Sequence, residues 1–246
     1  MGQAEEVATD SQADLGMSWV SLLKWSAIAS VVVVALINVF AGIIPPLIVF
    51  ALIWIASVIW LRKSQKGPAI LLLVSFIAFF ALSAPFVVPT LTAPASAGDF
   101  ILNLASVVAG LAGVTAAIAV LRGLGSTGGA RKIAVAGAVL FVVGTAFSVY
   151  ATVTYEDAVA QAGDIEVVTQ DIVFKDDSLE VEAGEISVLV DNKDATLHTF
   201  TIDELEVDLD IPASKTARVT FQAEPGTYEF YCAPHTPGMA GTLEVK

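Results

Sequence analysis

Two hydrophobic rhythms divide this chain. From Trp19 to Val153 apolar residues run almost unbroken, in five stretches: Ser26–Ile44, Pro46–Leu61, Ala69–Val88, Phe100–Leu121 and Ile133–Val153. A helix crosses a bilayer with about 17–25 mostly apolar residues, so the pattern predicts about five transmembrane helices. The second stretch is short and follows the first through the tight GIIPP turn at 42–46. The pair forms either two spans or a re-entrant hairpin, and both return the chain to its starting side. From Asp164 onward the period becomes two. Ile186, Val188 and Val190 alternate with Ser187, Leu189 and Asp191, and Ala217, Val219 and Phe221 with Arg218, Thr220 and Gln222. Turn signals at FKDDS, EAGE, DNKDAT, IPASK and AEPGT separate about seven or eight short strands, the signature of an all-β sandwich. The expected parts are a tail (1–18), a five-helix transmembrane domain (19–154), a linker (155–163) and a β domain (164–246).

Composition sharpens this division. The chain is 56% hydrophobic and 15% charged, against about 45–50% and about 25% in an ordinary soluble domain. Residues 163–246 carry 18 Asp or Glu and 5 Lys or Arg, a net of −13, whereas residues 1–162 carry 7 of each. An acidic domain repels nucleic acid and anionic lipid headgroups and attracts basic partners.

Lysine and arginine set the orientation. Lys24 precedes the first span; Arg62, Lys63 and Lys66 lie between the second and third; Arg122, Arg131 and Lys132 lie between the fourth and fifth. The alternate loops, 42–46 and 89–99, have none. This bias predicts a multi-pass protein of the cell membrane, with a cytoplasmic N-terminus and an extracytoplasmic β domain. Trp19, Trp25, Trp60, Tyr150 and Tyr155 flank the spans as interfacial aromatics. The opening MGQAEEVATDSQADLG lacks the basic n-region of a cleaved signal and reads as a cytoplasmic tail.

The five stretches contain no Asp, Glu, Lys, Arg or His. Such residues mark ion and proton pathways, so the bundle reads as a packed anchor. Ala105, Ala109 and Gly113 form a small-residue face for close packing, and Asn38 and Asn103 are candidates for hydrogen bonds between helices. Binding of a quinone or small lipid between the helices has no support in the sequence.

The candidate chemistry lies near the C-terminus. YCAPHTPGM, residues 231–239, holds the only cysteine, one of the two histidines and the only methionine beyond position 17. A single cysteine excludes an internal disulfide, a zinc ribbon, a Cys-x-x-Cys redox motif and covalent c-type haem. His198 opens the strand HTFTI, on the same face as Phe200 and Ile202. Cys232 ends the strand TYEFYC, and His235 and Met239 lie on the following loop, stiffened by Pro234 and Pro237, with a turn at Gly238. A sandwich can bring both strand ends to one pole. A thiolate, two imidazoles and a weak thioether suit one copper ion alternating between Cu(I) and Cu(II). Each residue alone has an ordinary structural explanation, but together both histidines, the cysteine and the late methionine fit a single ligand set.

The strand start HTF and the stretch PGTYEFYCAPHTPGMAGTLEV resemble the cupredoxins, the blue copper proteins related to plastocyanin, halocyanin and amicyanin. The resemblance covers roughly residues 165–246. It implies a Greek-key β-sandwich with one copper bound by His198, Cys232, His235 and Met239. Cys232 would be the short equatorial thiolate and Met239 the axial ligand, with the ring edge of His235 near the surface as electron port. Tyr228 matches a tyrosine common just before the cysteine strand. The spacing Cys-x2-His-x3-Met falls between the amicyanin-like and plastocyanin-like patterns. Thr199 stands where many relatives have an asparagine that braces the cysteine loop, and its hydroxyl is the candidate replacement.

The resulting expectation is a membrane-tethered blue copper protein, not an enzyme, that carries single electrons between extracytoplasmic redox partners. Those partners would be a cytochrome, a terminal oxidase or another copper protein, docking on an apolar patch of Pro234, Pro237 and Ala240 around His235. The alternative is copper storage, sensing or delivery, which methionine- or histidine-rich tracts would favour; the chain has none. A copper oxidase or nitrite reductase needs a second copper and further histidines, and a binuclear electron-transfer site needs two cysteines.

Overall fold

The computed structural model describes residues 17–40, 42–125 and 128–246. All but the last two residues of the expected N-terminal tail lie outside the described residues. Five helices come first: α1 (Trp19–Phe40), α2 (Pro45–Trp60), α3 (Lys66–Thr92), α4 (Ala97–Leu121) and α5 (Gly129–Thr154). Four of them, α1, α3, α4 and α5, are long and apolar enough to cross a membrane. The 16 residues of α2 span only about 24 Å at 1.5 Å per residue.

The first helix ends before Gly42, short of the expected Ile44, because the next helix begins so close. Ile44 is extended and precedes Pro45 and Pro46 in the first turn of α2, where a missing N–H costs nothing and the fixed φ already suits a helix. Asn38 closes this turn. It donates to the Val34 carbonyl at 2.8 Å and accepts from the Ile44 N–H at 2.7 Å. Among the described residues Asn103 bonds within its own helix, to the Asp99 carbonyl, and Asn38 reaches the turn before α2 rather than the face of another helix. Among the described residues, Trp54 Nε1 of α2 donates to Ser75 Oγ of α3 at 3.0 Å.

Helix α4 packs against α1, α3 and α5. Ala109 and Gly113 of the small-residue face are buried, and a methyl group on Gly113 would strike the Phe76 ring. Phe50, Trp54, Phe76 and Phe79 fill the space between α2 and α3, with Trp54 fully buried.

The β domain has eight strands: β1 (Ile165–Thr169), β2 (Ser178–Val181), β3 (Gly184–Asn192), β4 (His198–Ile202), β5 (Val207–Ile211), β6 (Thr216–Ala223), β7 (Gly226–Tyr231) and β8 (Ala240–Val245). They form one sheet of order β1-β3-β6 and another of order β2-β8-β7-β4-β5. The pairs β1–β3 and β2–β8 are parallel and the others antiparallel. Phe174, Phe200 and Phe230 make the aromatic centre of the core, with the last two stacked 5.0 Å apart. Simple alternation fails at β4, where all five residues are buried. Thr199 and Thr201 stay inside because their hydroxyls bond to each other, to the Ala233 N–H and to Asp208.

Two joints fix the sandwich to the bundle. After α5, Ala158 and Asp157 exchange hydrogen bonds with Thr216 at the start of β6, and Arg218 grips Asp164 with two nitrogens at 2.8–3.0 Å. At the α3–α4 turn, the Ala213 N–H donates to Ser96 Oγ at 3.0 Å. Asp99 Oδ2 accepts from the Leu197 N–H at 2.6 Å and the Thr196 hydroxyl at 2.8 Å.

Candidate metal centre

Adjacent antiparallel strands β4 and β7, registered at Thr201 opposite Tyr231, bring the start of one to the end of the other. His198 therefore meets Cys232. A short 3₁₀ turn, Ala233–His235, then carries His235 back over the sulfur. Its backbone is tied at both ends: the His235 N–H donates to the Cys232 carbonyl, and the Cys232 N–H to the Met239 carbonyl at 2.9 Å. Met239 is 1% exposed and belongs to the same core cluster as Cys232. The four sequence-predicted residues thus share one pole of the sandwich.

The donor atoms converge. Cys232 Sγ lies 3.5 Å from His198 Nδ1 and 3.3 Å from His235 Nδ1, and the three donors all lie within 4.8 Å of one another. Bond lengths of about 2.0 Å to nitrogen and about 2.3 Å to sulfur place two trigonal donors roughly 3.7 Å apart. The cluster has the size of a single-ion site, and its softness fits copper.

The surroundings prepare each donor. His198 is fully buried, and its Nε2 meets Asp194 Oδ2 at 2.9 Å. An N–H on Nε2 donated to that carboxylate leaves the Nδ1 lone pair facing the sulfur. The backbone N–H groups of Asp171 and Ile172, both at positive φ, in turn hold Asp194. Burial raises the Asp194 carboxyl, but hydrogen bonds from Ile172, His198 and Asp171 outweigh it, and the group stays below its ordinary value. Burial lowers His198, against the pull of Asp194. Burial and then the neighbouring His198 lower His235 to about 4, so both rings are neutral donors at neutral pH.

Burial pushes the Cys232 thiol up to about 11, opposed by hydrogen bonds that include the Thr199 N–H, 3.3 Å from the sulfur. An incoming ion has to displace the thiol proton. The hydroxyl of Thr199 accepts from the Ala233 N–H at 2.8 Å, so it does brace the cysteine loop.

Two features differ from the sequence reading. Pro234 is buried rather than part of an open docking patch. With half-buried His235 it faces a cavity against the helices, because the Ser96 and Asp99 contacts draw this pole onto the bundle. Sequence reasoning also missed Asp194 and Asp99. Asp194 stands four residues before His198 and could have been picked out only as a carboxylate near a ligand. Asp99 gave the weaker signal of being the one acidic residue in the 89–99 loop.

Comparison with known proteins places this geometry. A family model described as a cupredoxin-like domain matches residues 136–245. The plastocyanin of Lactuca sativa is 34% identical over 90 aligned residues, covering 30% of this chain and 89% of that protein. The chloroplastic plastocyanin of Pisum sativum is also 34% identical over 90 residues, covering 30% of this chain; the match spans only about half, 52%, of its length. Among solved structures, amicyanin from Paracoccus versutus is 19% identical over 35% of this chain and 85% of its own, with a TM-score of 0.30. An oxidised amicyanin variant is 29% identical over 35% of this chain and 86% of its own, with a TM-score of 0.29.

Proposed function

This chain belongs to the cupredoxin family, and from that premise we propose that it is a membrane-anchored blue copper protein carrying single electrons on the extracytoplasmic side. The observation that carries the proposal is the convergence of His198 Nδ1, Cys232 Sγ and His235 Nδ1 beside Met239. These four residues are the proposed ligands, with Met239 the weak one, and a copper ion held by them supplies a one-electron couple.

The chain's own residues do the rest. Thr199 N–H points at the sulfur and stabilises it as a thiolate. Asp194 fixes the tautomer and tilt of His198. The two backbone hydrogen bonds between the Cys232 and Met239–His235 segments keep the loop closed. A site held this firmly changes little when the charge on the ion changes, which favours rapid transfer.

The bundle supports the proposed tether and orientation. Four helices are long enough to cross a membrane. The sandwich contacts the α3–α4 turn, at the end of the bundle away from Arg62, Lys63 and Arg122. A basic-poor end faces outward. The net −13 of residues 163–246 favours a basic redox partner, with association slowing as salt rises.

The test is copper titration of the full chain in detergent. One Cu(II) per chain is expected to give an intense blue colour that reductant bleaches and that Cys232→Ser abolishes. A chain that stays colourless, or that exchanges Cu(I) freely without colour, would point instead to storage or delivery.

A further inference from the structure

A cavity of about 940 Å³ lies between the bundle and the metal-binding pole of the sandwich. Its bundle side is apolar, formed by Ile37, Phe40, Leu47, Phe50, Phe79 and Leu82. Helix α3, which also gives Phe86 and Val87 to this wall, contains Pro85 and Pro89, and each removes a ladder N–H. The other end is polar: Asp99, Asn103, Asp194, Thr196 and His235 line it. Among the described residues that line the cavity there is no lysine or arginine.

We propose that this cavity binds a membrane hydroquinone, with its apolar tail between the helices and its hydroxyl-bearing ring beside His235. Three observations select that occupant. The volume and the single polar end fit an amphiphile with a small head and a long tail. The polar end presents three carboxylates, Asp99, Asp171 and Asp194, and no cation among the described residues that line it. It therefore repels a phosphate or carboxylate headgroup and accepts hydroxyl donors. His235, a member of the donor cluster, lines the cavity, so a redox-active ring bound beside it would sit where an electron can leave it.

The cavity is held in place. Asp99 bonds to Thr196 and Leu197 immediately before His198, and Ser96 bonds to Ala213. This arrangement gives the many-helix anchor a function that one span could not serve.

Binding rests on the cavity alone; the role as electron donor also rests on the copper reading above. One hydroquinone loses two electrons and two protons to become a quinone. The single oxidised site beside the ring would take one electron, be reoxidised by its redox partner and take the second, while both protons leave by way of Asp99 to extracytoplasmic water.

The test uses the full chain in detergent and a decyl-benzoquinol probe under anaerobic conditions. Calorimetric titration of the metal-free chain is expected to show saturable binding, weakened by about tenfold or more in Leu82→Trp, which fills the apolar wall at an exposed position. With copper bound, the probe is expected to bleach the blue band, and Leu82→Trp to slow that bleaching while leaving reduction by ascorbate unchanged. Unsaturable binding, equal binding by the variant, or equal competition from phosphatidylglycerol overturns the proposal. Saturable, variant-sensitive binding to a chain that never turns blue upholds the cavity and overturns the copper reading instead.

Discussion

Beside two of the proposed ligands, His198 and Cys232, stands a residue that touches no ion yet decides what the ligand can do. Asp194 meets the back of the His198 ring at 2.9 Å and is itself held by two backbone N–H groups. It acts as a positioning residue. Losing such a partner typically weakens metal binding about 10- to 100-fold. Asp194→Ala is therefore expected to lower copper affinity by that order in a chelator competition. Asp194→Asn, whose amide oxygen can still accept from Nε2–H, should recover most of the loss. Equal affinity in all three proteins would show that the contact is incidental. Thr199 does two jobs at once, since its N–H faces the sulfur and its hydroxyl holds Ala233.

At the level of elements, the junction between α5 and the sandwich is bonded rather than loose. Residues 157 and 158 lie along the start of β6, and Asp164 receives the two-pronged Arg218. Hydrogen bonding from Arg218 holds the Asp164 carboxyl below its ordinary value. The folded value is thus lower than the unfolded one. The pair's contribution is fully present above the unfolded value, about 4, and is lost as pH falls through the folded value. Thermal unfolding of the full chain at pH of about 7 and about 3 should show a smaller acid loss in Asp164→Asn than in the parent protein. Identical losses would remove this ion pair from the acid response.

On the scale of the whole molecule, rarity decided what could be read in advance. His198, Cys232, His235 and Met239 stood out because the chain has two histidines, one cysteine and three methionines, so the spacing of those few residues was informative. The change of period at Asp164 separated helices from strands for a similar reason, since one rhythm could not serve both. Asp99 and Asp194 had no such contrast, being two of 25 acidic residues. Their roles exist only once the fold brings a helix turn and a β loop together. The cavity was hidden for the same reason: its walls are ordinary apolar residues of four separate helices, and its polar end comes from both domains.

One sulfur and two imidazole nitrogens sharing a single copper form the centre of the proposed site. X-ray absorption on the copper-loaded full chain measures that directly. It should show one short copper–sulfur and two copper–nitrogen contacts in the parent protein, with the sulfur contact gone in Cys232→Ser. A copper shell of oxygen and nitrogen alone in the parent protein, or one that Cys232→Ser leaves unchanged, would contradict it.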